Sequence, residues 1–366
     1  MLNKLRINAP KIAVKALSRV VSIFSLPTNT LRLFFLTFSV QHIHGPVNYS
    51  CNRNEAVVLC VVKNGESLVE AFIEHYLQVG FKHIFFLDNG SIDKTIDIIK
   101  SYKQTTLFSS NQPFRKYYVI FKNFLIQKFG YGQWCVLADI DEFLYFPLNK
   151  SLPQVLAYLN KNNYDSLCIQ MLDMFSREGI KLKNVNLESG LTKNDSAWTL
   201  DTLKSVFCHY DLSNIDRRRY LRRFQFATHP RLKFLYGGIR KTVFGRDCFL
   251  TKEAMFWVHK KTYLKSSHLL KTSKIADFSA LFLHYKFTDN FYSSTIKAVE
   301  SENHWRHSEE YKAYLAVLKK EAFNNHTDLV LFQPSSLTLT KIEQEINTLI
   351  DSNFLFVSDE FYEFFN

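Results

Sequence analysis

Acidic residues are missing from the first fifty positions, where Lys4, Arg6, Lys11, Lys15, Arg19 and Arg32 stand unopposed. Long apolar runs are missing too: none reaches the roughly 18 residues that span a bilayer. The patches "VVSIFSL" and "LRLFFLTFSV" are broken by Pro27 and Asn29, and no small-residue cleavage site follows them. That weighs against a signal peptide. Two readings of this lead-in stay open: a basic amphipathic segment lying on an anionic membrane face, or a helical extension packed on the main domain. Cysteine is sparse. Cys51, Cys60, Cys135, Cys168, Cys208 and Cys248 form no CxxC pair and no zinc-type spacing, so they read as reduced thiols of a cytosolic protein. With only 11 glycines there is no Gly-rich phosphate loop, and no internal repeat is apparent.

What is present is apolar and basic. The 366 residues are 46% hydrophobic, which is enough for a large core, and 34 phenylalanines exclude a low-complexity chain. A formal charge of +12 favours an anionic partner. Nucleic acid is not the expected one, because the basic run "RRRYLRRF" (217–224) comes with no recognised nucleic-acid-binding motif. That run could instead clamp a phosphorylated substrate or simply be solvated.

From residue 56 the pattern is that of a βαβα unit. "AVVLCVV" (56–62) has the continuous apolar character of a central parallel strand, and residues 66–80 carry a helical stripe ended by Gly80. "KHIFFLD" (82–88) is a second strand. Residues 89–102 predict a helix capped by Ser91, with Asp93 in its first turn and a stripe of Ile92, Ile96 and Ile99. A helix over about 116–129 leads to "WCVLADIDEFL" (134–144), read as one strand. "LPQVLAYLNKNN" predicts a helix and "SLCIQMLDMF" (166–175) a strand. "RLKFLYGGIRKTVFG" and "LTKEAMFWV" read as strands or hairpins turning at Gly237–Gly238; "FSALFLHYKF" (278–287) is a further apolar run, and helices follow over roughly 292–320. The fold class expected is an open α/β, mostly parallel sheet flanked by helices. Its division is a basic extension (1–54), a main α/β domain (55–290) and a helical C-terminal region (291–366).

In such sheets ligands bind at the carboxyl ends of the strands, and polar residues gather there. Asp139 and Asp141, one residue apart on a strand, would point the same way and share one hard cation. A solvated strand end is the plainer alternative. Asp88, ahead of Asn89–Gly90–Ser91, could accept hydrogen bonds from a ribose or base, or merely serve the turn. Lys63 and Asn64 end the first strand and could reach a phosphate or base. His284 is a candidate nitrogen ligand, although a lone histidine after an apolar strand is more often structural; the same applies to His268.

Taken together, "VVKNGESLVEAFIEHYLQVGFKHIFFLDNGSIDKT", "WCVLADIDEFLYFP", "MLDMFS" and "FSALFLHYKF" resemble the bacterial family 2-type glycosyltransferases of GT-A fold, close to the glycosyltransferase 92 group. The first two blocks, about fifty residues apart, are the specific ones, and the resemblance covers roughly 55–315. It implies a metal-dependent transferase moving a sugar from a nucleotide-diphosphate donor, a uridine diphosphate sugar by default, to a hydroxyl of a saccharide or glycolipid, with inversion. Its expected place is surface polysaccharide or lipopolysaccharide synthesis, in the cytoplasm or peripherally at the inner membrane face. By position it implies Lys63, Asn64, Asp88 and Asp139 at the nucleotide sugar, and Asp139, Asp141 and His284 at Mn²⁺ or Mg²⁺. Asp173 is then the general base, with Glu178, Asp195 and His268 as competitors. Two other classes stand beside it: a binding module that keeps the fold without catalysis, and a metal-dependent nucleotidyltransferase, which the missing Gly-rich loop disfavours.

Overall fold

The computed structural model describes residues 28–176, 196–198, 204–207, 225–227, 229–270, 272–287, 291–302, 305–324, 337–338 and 342–366. In chain order, α1 (Thr28–Ser39) and β1 (Gln41–His44) precede β2 (Ala56–Val62), α2 (Glu66–Val79), β3 (His83–Asp88), α3 (Thr95–Lys100) and β4 (Thr105–Ser109). Next come α4 (Phe114–Leu125), continued as a π turn to Gly130, β5 (Trp134–Leu137), β6 (Glu142–Tyr145), α5 (Leu152–Lys161) and β7 (Ser166–Ser176). The short strands β8 (Ser196–Trp198), β9 (Lys204–Phe207), β10 (Gln225–Ala227) and β11 (Lys233–Tyr236) lead to α6 (Ile239–Phe244) and β12 (Thr251–Trp257). The chain closes with β13 (Thr272–Phe287), α7 (Phe291–Ser301), α8 (Trp305–Asn324), β14 (Leu337–Thr338), α9 (Ile342–Asp351) and α10 (Asp359–Phe365).

One large sheet runs in the order β1-β4-β3-β2-β5-β12-β7-β13-β10, with β6 added on β13. It is parallel through β4, β3, β2 and β5 and mixed beyond. Both faces are covered. Along β2, Ala56, Val58, Cys60 and Val62 join one core while Val57, Leu59 and Val61 join the other. This alternation is why the strand has no polar position to show: each side chain meets a helical layer. The first core includes α2 and α5, and Ile346, Leu349 and Phe361 of α9 and α10 pack into it. The second holds α4 and Leu36 of α1.

Helix α2 buries Val69, Phe72, Ile73 and Tyr76, spaced for a single face. It stops because Gly80 turns left-handed at φ 112°, which lets the Phe81 amide donate back to the Tyr76 carbonyl at 3.0 Å.

Three expectations are corrected. Helix α3 starts at Thr95, not near Ser91, and Ile92 is exposed in the preceding loop. The reason is that Ser91, Asp93 and Asn64 spend their hydrogen bonds joining two loops, described below. The stretch 134–144 is two strands, since β5 ends at Leu137 and β6 begins at Glu142. After Gly237 and Gly238, both left-handed in φ, the chain enters a helix and not a second hairpin strand. The run 217–224, Cys208, Glu178 and Asp195 lie outside the described residues; Cys51, Cys60, Cys135, Cys168 and Cys248 are free thiols. Among the described residues no helix is long and apolar enough to cross a membrane.

Candidate active site

At the carboxyl edge of the parallel strands two loops are stitched together. The Asn64 amide donates to Ser91 Oγ at 2.8 Å, and the Ile92 amide donates to Asn64 Oδ1 at 2.9 Å. Asn64 takes a left-handed φ of 51°, which asparagine tolerates better than most residues. The Gly65 amide donates to Thr95 Oγ1 at 2.8 Å, and that hydroxyl donates to Asp93 at 2.5 Å. Asp88 is buried, and its carboxylate accepts from the Gly90 amide at 2.9 Å and from the Ser91 amide at 3.1 Å. Asp88 therefore shapes the turn, and Asn64 is brought to it; Lys63 is exposed beside them.

The acidic residues occupy the turn between β5 and β6. The Ala138 amide still donates to the Leu59 carbonyl at 3.1 Å, and then the chain reverses, with the Glu142 amide donating to the Asp139 carbonyl at 3.0 Å. Because the strand has already ended, Asp139 and Asp141 are not related by strand alternation. They diverge in partners. Asp139 faces two lysines, accepting from Lys122 Nζ of α4 at 2.7 Å and from Lys252 Nζ of β12 at 2.6 Å. Lys252 also reaches Glu142, whose second oxygen accepts from the Asp139 amide at 2.9 Å. Lys122, Lys252 and Glu142 are buried.

Asp141 points the other way, toward His284. Its Oδ2 lies 3.3 Å from His284 Nε2, and Asp141, Glu142 and His284 place ligand atoms within 4.8 Å of one another. Register explains the grouping. On β13, His284 lies opposite Glu142 of β6 on one side and Asp173 of β7 on the other. The Tyr285 amide donates to the Asp141 carbonyl at 2.8 Å, and the Tyr76 hydroxyl donates to the Glu142 carbonyl at 2.9 Å, so β13 and α2 both hold the turn.

Asp173 is buried behind His284. It accepts from His284 Nδ1 at 2.5 Å and takes a two-pronged contact from Arg240, Nε to Oδ2 at 2.7 Å and Nη2 to Oδ1 at 2.8 Å. A carboxylate with both oxygens so engaged orients a histidine; it is poorly placed to receive a proton from an acceptor. His268 donates Nδ1–H to the Thr251 carbonyl at 3.0 Å, since that oxygen can only accept.

Charge is distributed unevenly. Burial alone would raise the Asp139 and Asp173 carboxyls, but the lysines around Asp139, and Arg240 with His284 around Asp173, hold both well below the usual range. Glu142 goes the other way: burial pushes it up more than Lys252 pulls it down. Burial would lower His284, yet Asp141 and Asp173 carry it up to about 9. His268 is pushed down to about 3 by burial and by Lys252. Burial also works against the charge of Lys286, two residues beyond His284, but Tyr311 and Glu310 raise it above its ordinary value.

These donors fit a divalent ion. Two carboxylates and an imidazole suit a borderline or hard cation. The 3.3 Å between Asp141 Oδ2 and His284 Nε2 is close to the ~3.0 Å between neighbouring ligands of a six-coordinate ion with bonds of about 2.1 Å. The Asp173 bond to Nδ1 is the outer support that metal-binding histidines commonly have.

The family model described as glycosyltransferase family 92 matches residues 56–348. The chain belongs to this family. No curated protein matches it. Membership together with the acid–histidine cluster makes the protein a metal-dependent glycosyltransferase that uses a nucleotide sugar, on a GT-A-like sheet.

Sequence reasoning missed Lys122, Lys252 and Arg240. A signal existed for two of them. Lys122 interrupts the apolar stripe of α4, and Lys252 lies between Thr251 and Glu253 at the head of the mostly apolar "LTKEAMFWV". Arg240 follows the Gly237–Gly238 turn, and only the fold reveals its target.

Proposed function

We propose that the transferase moves a sugar from a uridine diphosphate donor to a hydroxyl of a saccharide or glycolipid acceptor, with inversion, in the building of a surface polysaccharide or lipopolysaccharide. The observation that carries the reading is the close approach of Asp141 and His284 at the carboxyl edge of the sheet. Those two residues would hold Mn²⁺ or Mg²⁺, which, when bound, neutralises the diphosphate as the sugar–phosphate bond breaks.

The chain's own residues prepare the rest. Asp139, kept ionised by two lysines, accepts hydrogen bonds from hydroxyls of the ribose or donor sugar. The stitched loops of Asn64 and Asp88 form the wall for the nucleoside, and Lys63 and Lys286 offer positive charge to the diphosphate. Asp173 enters as a positioning residue, fixing His284 with Nε2 turned to Asp141 while Arg240 fixes Asp173. The basic composition supports an anionic acceptor.

A thermal-shift titration with uridine diphosphate, with and without Mn²⁺, tests this. Stabilisation that needs both, and is lost together with donor turnover in a folded Asp141→Ala variant, is the expected result. Nucleotide binding indifferent to the ion, or normal turnover by Asp141→Ala, would overturn the assignment.

A further inference from the structure

Helix α1 has two apolar faces, and among the described residues one is packed while the other is exposed. Leu33, Leu36 and the following Val40 pack into the core beneath. On the outer side Phe34, Phe35 and Phe38 are 44%, 59% and 76% exposed. Their rings form one patch, Phe34 lying 5.8 Å from Phe35 and 5.1 Å from Phe38 between centroids. Ile43 and Val47, each 39% exposed, are other exposed apolar residues close by in sequence. Contiguous exposed aromatics on a helix mark a contact surface. The chain just before this helix carries Lys4, Arg6, Lys11, Lys15 and Arg19 and no acid.

We propose that this face of α1 docks on an anionic phospholipid surface, with its phenylalanines in the acyl–headgroup boundary, the basic and acid-free sequence before the helix being of the complementary charge. Aromatics on one side and Lys or Arg without acids beside them is the chemistry of an interfacial helix. A second copy of the chain is a poorer occupant, because it would bring two basic lead-ins together. The location also has a use. Gln41 of β1 pairs with Ser109 at the carboxyl end of β4, so the end of α1 lies at the sheet edge that bears the acidic turn. Docking there would bring a lipid-linked acceptor to that edge; this last step rests on the transferase reading, whereas docking itself does not.

The test is co-sedimentation of the full chain with vesicles of phosphatidylcholine, alone or mixed with phosphatidylglycerol, at low and high salt. Binding to the mixed vesicles only, weakened by salt, is expected. Phe34→Ser/Phe35→Ser/Phe38→Ser should bind about tenfold or more weakly, with its melting temperature and its response to uridine diphosphate plus Mn²⁺ unchanged. Wild-type protein that stays in the supernatant, or a triple variant that sediments as well as wild type, would overturn the proposal. So would a wild-type dimer that the triple variant converts to monomer, since the face would then be a self-association surface.

Discussion

Replacing Lys252 with methionine removes the cation shared by Asp139 and Glu142 while keeping most of the buried stem. The two carboxylates respond differently. Asp139 retains Lys122 and is partly exposed, so it loses one of two partners. Glu142 is buried, and no cation other than Lys252 pairs with it among the described residues. Breaking a buried pair from one side costs about 3–5 kcal/mol. Neutralisation sets the upper limit, because Glu142 can take up a proton instead. Starting from its ordinary value of 4.5, that uptake costs about 3.4 kcal/mol at pH 7 and about 0.7 kcal/mol at pH 5, at ~1.4 kcal/mol per pH unit.

The sign follows. In the variant the folded-state pKa of Glu142 lies further above its unfolded value than in wild type. Its contribution is therefore fully present below about pH 4.5 and lost as pH rises. Urea unfolding at several values between pH 5 and pH 8, without metal, reads this directly. The variant should sit about 3 kcal/mol below wild type at pH 7 and within about 1 kcal/mol of it at pH 5. Adding Glu142→Gln should remove most of the pH dependence. A Lys252→Met midpoint equal to wild type at pH 7, or a deficit that does not change with pH, would refute the bridge and with it the account of how the acidic turn is held.

Further outcomes follow from the same contacts. Arg240→Met leaves Asp173 without its guanidinium and should weaken Mn²⁺ binding about 10–100-fold by calorimetry, with Arg240→Lys in between. Gly65→Ala would set a methyl 2.9 Å from Val62 Cγ2 and 3.2 Å from Ile140 Cγ1. It should cost about 1–2 kcal/mol and, by shifting Ile140 within the acidic turn, reduce the metal-dependent thermal shift with uridine diphosphate. Burial would raise Glu310, but Lys286 and Arg240 bring it down to about 2. Its stabilising contribution is thus present above pH 4.5 and lost as pH falls toward 2, and Glu310→Gln should flatten that part of the acid unfolding curve.

In the parallel half of the sheet β2, β3 and the start of β5 were legible because each is a compact apolar run, whereas β4 (Thr105–Ser109), with two threonines and a serine, was not read as a strand. β2 spans Ala56–Val62 as read, and α2 ends at Gly80 because that residue can turn left-handed. Local capping misled at Ser91, whose hydroxyl serves Asn64 across 27 positions in sequence and not the next helix. The glycine pair 237–238 looked like a hairpin because glycine marks any sharp turn, including one into a helix. At the site, Asp139, Asp141 and His284 were visible as polar residues ending apolar runs. Their partners were not, because they depend on register. Asp173 meets His284 through the pairing of β7 with β13. Lys252 reaches the turn because β12 runs antiparallel beside β5.

Three carboxylates can crowd the end of β5 because three cations already answer them: Lys122 and Lys252 at Asp139 and Glu142, and His284 at Asp141. The three cations are not equivalent. The two lysines are buried with two strongly interacting carboxylates, and Lys252 is held above its ordinary pKa by them. His284 also keeps its proton up to about pH 9, but a histidine can exchange that proton for a metal bond, which an ammonium cannot do while it remains charged. On the proposed reading a cation would enter between Asp141 and His284, with Glu142 behind them. Exchanging one proton for a dication raises the net charge of the site by one. That surplus would lie at the end of the strands, adding to Lys63 and Lys286 in making an otherwise balanced turn attractive to a diphosphate.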